Sequence, residues 1–283
     1  MEIMQMSTSA PSGLVILALA LIGAGALMGF MSGLLGIGGG GIMVPVLYEV
    51  LSRLGIAADL ALHVAIGTSL AVMIPTTLRS YRAHRTKGAG DGVLLARLAP
   101  WIVLGVVGGA LLARFADERL LKWIWVVFGS LLAAKFAFAR DDWRISQELP
   151  GAPLIELYGL AIGSISTLMS IGGGAFVTTM MTLHGRSMVQ AVATASGVGP
   201  MIAIPGAIGF IWAGWGSAGL PPLSLGYVNL LGAMIIIPAS VLVAPLGVKA
   251  AHGIQKRSLS RIFAVFLIVI TSRFLWSLLA GTG

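Results

Sequence analysis

The chain has 283 residues, 57% of them hydrophobic and 10% charged, with a net charge of +8 and mean hydropathy +0.97. A soluble domain carries about a quarter charged residues, so this balance excludes one and defines an all-α polytopic integral membrane protein. Zero cysteines exclude disulfides, thiolate metal sites and cysteine nucleophiles. The basic excess reads as loop charge that orients helices in a lipid bilayer, with no nucleic-acid partner.

The first twelve residues carry no Lys or Arg and so lack a signal-peptide n-region, and 13–37 reads as a retained first span. It is uncharged and contains Gly25-x-x-x-Gly29-x-x-x-Gly33, a small-residue stripe that lets another helix approach closely. Gly36-Ile37-Gly38-Gly39-Gly40-Gly41 then interrupts it, since each glycine costs roughly 0.8–1 kcal/mol against alanine inside a helix. Residues 42–51 are too short to span alone and read as a half-helix or one arm of a re-entrant hairpin. Spans are expected at 62–78, 93–113 and 120–139. The first carries Gly67-Thr68-Ser69 and Pro75, and a basic loop with Arg79, Arg82, Arg85 and Lys87 follows it. Lys122 and Lys135 sit near the ends of the third and are expected to snorkel toward head groups.

A polar linker at 140–153, with Asp141-Asp142, Arg144 and Glu148, separates a first transmembrane repeat, 1–139, from a second, 154–283. The second opens with 154–171 and breaks at Gly172-Gly173-Gly174 before a short piece at 175–183. A segment at 188–212 follows, interrupted by Gly197, Gly199-Pro200 and Pro205-Gly206. Then come 223–248, a basic loop with Lys249, Lys256, Arg257 and Arg261, and a last segment at 262–279. Ile37-Gly38-Gly39-Gly40-Gly41 matches Ile171-Gly172-Gly173-Gly174-Ala175, and Ala65-Ile66-Gly67-Thr68-Ser69 resembles Ala191-Val192-Ala193-Thr194-Ala195-Ser196. The expected architecture is two repeats of five hydrophobic segments, each with a glycine-broken, re-entrant or discontinuous helix. If segments alternate sides, eleven Lys and Arg fall in loops on one face and four on the other. The first face is then cytoplasmic, both termini are periplasmic, and the repeats have inverted topology.

Backbone N–H groups that open a half-helix carry partial positive charge and suit a small anion without a buried cation. The expected donors are Gly38, Gly39, Gly40 and Gly41 in the first break and Gly172, Gly173 and Gly174 in the second. Thr68, Ser69, Thr194 and Ser196 are the hydroxyls expected to complete a polar shell, although membrane hydroxyls also bond back to their own helix. Gln190 and Asn229 either bind substrate or tie helices together. His63 and His184 flank the short pieces and are the proton-coupling candidates, against a plain role at loop junctions. Arg97 and Arg273 lie near segment ends and read as anchors, and Glu156 suits the N-terminus of its helix. Gly36-x-Gly38-x-x-Gly41 has the form of a dinucleotide fingerprint but lacks the strand before it. The absence of HExxH, Walker, GxSxG and Cys/His patterns argues for no enzyme, no cofactor and no metal.

The run Gly33-Leu34-Leu35-Gly36-Ile37-Gly38-Gly39-Gly40, then Pro45, then Ala65-Ile66-Gly67-Thr68-Ser69, resembles the TauE/SafE family of sulfite-exporter-type permeases. Gly172-Gly173-Gly174 and Ala193-Thr194-Ala195-Ser196 resemble that family's second repeat, which here has Thr179 where the first has Pro45. The resemblance covers nearly the whole chain. It implies a bacterial-type inner-membrane carrier for sulfite, sulfoacetate, other organosulfonates or related small anions. The reading is a secondary carrier that exports a small oxyanion by alternating access, with a proton or sodium ion as coupling candidate and a homodimer as candidate assembly. Its rivals are a passive anion channel and a non-transporting scaffold subunit.

Overall fold

Backbone crossing lipid must satisfy its own N–H and C=O groups, which for an open chain means helices. The computed structural model describes residues 11–36, 38–85, 90–138, 144–250 and 256–280; Ile37, Lys87 and residues 140–143 of the linker lie outside them. Among the described residues the apolar runs form ten helices. Before the linker come α1 (Pro11–Leu35), α2 (Gly40–Arg53), α3 (Ala58–Arg85), α4 (Gly92–Phe115) and α5 (Glu118–Phe138). After it come α6 (Leu154–Met169), α7 (Gly174–Leu183), α8 (Met188–Ala213), α9 (Leu230–Ala250) and α10 (Lys256–Ala280). Six helices are, among the described residues, long and apolar enough to cross a membrane: α1, α3, α4, α5, α8 and α9. At 1.5 Å per residue α2 and α7 reach only about 21 and 15 Å, short of a hydrocarbon core of about 30 Å.

Three expectations are corrected. The segment expected to be interrupted at 197–206 is the continuous helix α8, with Pro200 and Pro205 inside it. Residues 223–229 do not begin a span: β1 (Ser224–Leu225) and β2 (Val228–Asn229) form an antiparallel hairpin before α9. Lys122 does not snorkel, being only 2% exposed.

Helices pair mainly across the linker. The stripe of α1 lies on α9, with Gly25 against Ile236, Gly29 against Ser240 and Gly33 against Ala244, where a Cβ would run into backbone oxygen. Similarly α6 lies on α4, with Gly159 against Trp101 and Gly163 against Ile102. In the same manner α3 packs on α8 and on α9, α4 packs on α8, and α5 packs on α10. Leu104, Val107, Leu231, Leu242 and Val269 stay exposed, which suits a surface solvated by lipid.

Ionic contacts gather at the end of the bundle where α2 finishes and α5 begins. Glu118 Oε1 accepts from Tyr48 Oη at 2.7 Å and pairs with Lys122 Nζ, which also donates to Ser277 Oγ at 2.7 Å. Glu49 pairs with Arg53 at 2.9 Å and with Arg273 of α10. The short helix that starts at the first glycine break is therefore tied at its far end to both α5 and α10.

Candidate functional site at two helix breaks

Both breaks are built from left-handed residues. Gly36, Gly38 and Gly39 have φ of +67°, +76° and +72°, and Ser170, Gly172 and Gly173 have φ of +53°, +75° and +69°. Left-handed backbone costs an L-residue roughly 1–2 kcal/mol, which explains glycine at five of these six places. Gly39 is the N-cap of α2 and Gly173 the N-cap of α7.

The two breaks touch. A Cβ on Gly38 would lie 3.1 Å from Gly172 Cα, and one on Gly40 would overlap the Ser170 carbonyl oxygen. Met73 of α3 closes the joint: its Cε reaches the Cβ position of Gly38, and its Sδ receives the Ser170 hydroxyl at 3.5 Å. Gly38, Gly39, Gly40 and Gly41 are all buried, as are Gly172, Gly173 and Gly174. The two N-termini of α2 and α7, the positive ends of their dipoles, thus open beside one another.

The sequence-predicted hydroxyls divide. Thr68 Oγ1 accepts the backbone N–H of Asn229 at 2.8 Å, and Thr194 Oγ1 accepts that of Asp91 at 2.9 Å. Asn229 and Asp91 precede α9 and α4, and their side chains cap Gly232 N and Leu94 N at 2.8 and 2.9 Å. Both threonines therefore tie the start of a helix from the opposite side of the linker. Thr194 also donates to the Gln190 carbonyl, which places Gln190 in the first turn of α8 as a backbone acceptor. Ser196 donates to its own helix at Ala193 O, while its N–H lies beside Gly36. Ser69 is fully buried and its hydroxyl has no partner. Asn229 completes its bonds to Pro222 O and Ser224 Oγ, holding the hairpin.

Neither histidine lies at the joint. His63 stands ten residues before Met73 on α3, about 15 Å along the axis. Its Nδ1 is 2.7 Å from Asp59 O and its Nε2 3.1 Å from Ala113 O, and its ring packs, tilted, against that of Tyr227 with centroids 4.9 Å apart. A neutral ring donates to only one of two such carbonyls. His184 caps α7, with Nδ1 2.7 Å from Met180 O. Arg273 is exposed and bound to Glu49, Arg97 is exposed, and Glu156 lies in the first turn of α6. Among the described residues no group of three or more His, Asp or Glu is placed to hold a metal ion.

The sequence reading missed the Tyr48–Glu118–Lys122 network and two further hydroxyls, Ser32 and Ser166, buried and without partners. The i, i+4 spacing of Glu118 and Lys122 was the available signal for the first. For the second it was a serine at the same distance before each glycine run.

Long apolar helices, two short ones that meet at unwound backbone, and a lipid-suited exterior define a multi-pass membrane protein. The chain belongs to the TauE/SafE family: the family described as "Sulfite exporter TauE/SafE" matches residues 21–274. It is 33% identical over 248 residues to a "Probable membrane transporter protein" of Haemophilus influenzae, covering 87% of this chain and 93% of that one. It is 27% identical to a protein of the same description from Methanocaldococcus jannaschii, over 87% of this chain and 90% of that one. A third, YunE of Bacillus subtilis, is 27% identical over 90% of this chain and 96% of its own. No solved structure matches the chain significantly.

Proposed function

We propose that this protein is a secondary carrier that exports a small oxyanion, sulfite or an organosulfonate, by alternating access, with the anion held where the two breaks meet. One observation carries the reading: the left-handed runs touch at Gly38 and Gly172, and α2 and α7 both start there. Two helix N-termini at one place concentrate positive partial charge and N–H donors, which is what an anion needs in a low dielectric. The family's sulfite-exporter description supplies the sulfur chemistry.

The matched pairings, α1 on α9 against α6 on α4, and Thr68 with Asn229 against Thr194 with Asp91, support two inverted repeats, 1–139 and 154–283, joined by the linker. The bias of Lys and Arg supports a cytoplasmic linker and periplasmic termini in an inner membrane. A proton or sodium ion drives the cycle in this reading, with His63 and His184 as the proton candidates, and the unit in the bilayer is a monomer or homodimer.

Flux in proteoliposomes tests it. Saturable counterflow of a sulfur oxyanion, accelerated by an imposed pH or sodium gradient, is the expected result. No movement of any oxyanion above empty vesicles would refute the carrier, and a non-saturating uncoupled current would replace it with a channel.

A further inference from the structure

Most hydroxyls on these helices have a partner, on a neighbouring helix as for Ser80 and Ser164 or on their own. Thr76, Thr167, Thr179, Thr194 and Ser196 donate to a carbonyl three or four residues earlier on their own helix, the ordinary outcome in a membrane. Ser32, Ser69 and Ser166 do not, and each Oγ is buried without a partner at residue exposures of 1%, 0% and 0%.

Ser32 and Ser166 hold matched positions. Each stands four residues before the first left-handed residue of its break, and its carbonyl accepts that residue's N–H: Gly36 at 3.0 Å from Ser32, and Ser170 from Ser166. Ser166 stands one turn before Ser170, the left-handed C-cap of α6 whose hydroxyl reaches Met73. Ser69 shares the face of α3 with Met73, whose Cε abuts Gly38. Ser32 lies on the stretch of α1 held against α9, and Ser80 of α3 donates to its carbonyl at 3.1 Å. Thr178, one turn into α7, is also unpartnered; its matching position in α2 is Val44, as that of Ser69 is Ala195, and Ser69 is preferred for its place one turn before Met73.

We propose that Ser32 and Ser166, with Ser69, are the side-chain donors to the carried oxyanion, completing a shell that the backbone N–H groups of the breaks begin. This rests on the oxyanion reading above. An unpartnered buried hydroxyl is destabilising, and a ligand oxygen supplies the acceptor it lacks. Hydroxyls bond an oxyanion through short charge-assisted contacts and leave no fixed charge behind when the anion departs.

The test is calorimetric titration of the purified full-length protein with sulfite under nitrogen, and with sulfoacetate and acetate in parallel. Wild type binds the two sulfur anions more tightly than acetate. Ser32→Ala and Ser166→Ala each weaken sulfite binding about tenfold or more, the effect of one hydrogen bond to a charged group. Neither lowers the ligand-free thermal midpoint, because neither removes a formed bond. Thr182→Val, which deletes a hydroxyl bonded back to Thr178 O at the far end of α7, keeps wild-type affinity. Wild-type affinity in both serine variants would overturn the assignment and leave the oxyanion reading standing. Weaker binding accompanied by a lowered ligand-free midpoint would also overturn it, as the mark of structural serines. Wild-type protein that binds none of the three anions would overturn both.

Discussion

The two breaks share a backbone path but not a wall. A Cβ on Gly39 would stand 2.5 Å from the Met28 carbonyl oxygen, and one on Gly40 would overlap that of Ser170. At Gly173, the partner of Gly39, the nearest atoms are side-chain ends: Ile202 Cδ1 at 2.5 Å and Val198 Cγ1 at 3.0 Å. The far ends differ too. The C-terminal end of α2 is tied by Tyr48 to Glu118 and by Glu49 to Arg273, whereas α7 ends on His184 and a backbone bond from Ile145 N to Leu183 O at 2.8 Å. The first break is clamped by backbone and ion pairs, and the second is cushioned by rotatable groups. In a cycle that moves one break against the other, α7 is the piece with room to adjust.

That contrast can be broken most sharply at the glycines. Gly39→Ala is expected to abolish folded protein, because the Met28 backbone cannot swing aside. Gly173→Ala should cost only about 1–2 kcal/mol of left-handed strain. Size-exclusion profiles and thermal midpoints in detergent compare the two, and equal losses would erase the distinction between the walls. The clamp at the far end of α2 comes next. Lys122→Met leaves the half-buried Glu118 with only its bond from Tyr48 and should cost about 1–3 kcal/mol, largely recovered in Lys122→Met with Glu118→Leu. Denaturation of the double-mutant cycle measures it.

The cross-linker ties sharpen the comparison from the other direction. Thr68→Val and Thr194→Val each strip an acceptor from a helix-starting N–H and should cost about 1–2 kcal/mol apiece. Unequal costs would mean the two ties are alike in geometry only. The smallest effects are at the caps themselves. Asp91→Asn should change stability by only about a few tenths of a kcal/mol, since either residue caps well. Asn229→Asp should cost more, because it removes the donors to Pro222 O and Ser224 Oγ.

Much of the fold was legible because lipid leaves apolar sequence few options: the long runs became helices, and the glycine runs became breaks. What was illegible lies between residues distant in the chain. Thr68 and Thr194 read as shell hydroxyls, since the N–H groups they serve are 161 and 103 residues away. Lys122 sat near a segment end and so read as an interfacial anchor, while Tyr48, 70 residues before Glu118, helps make its position a buried network. Pro200 and Pro205 read as interruptions, yet a helix packed on several neighbours keeps its course past a missing N–H. The hairpin at 224–229 has strands of two residues, too short for any alternation to show.

The seat of α1 on α9 carries a consequence for how the protein is made. Gly29 meets Ser240, a residue synthesised about 210 positions later. At elongation rates of about 5–20 residues per second, the glycine stripe of α1 waits about 10–40 s for its partner to leave the ribosome. During that interval its bare backbone faces lipid, the translocon or an insertion factor. A stall between α8 and α9 would therefore leave the glycine stripe of the first helix without the surface that covers it.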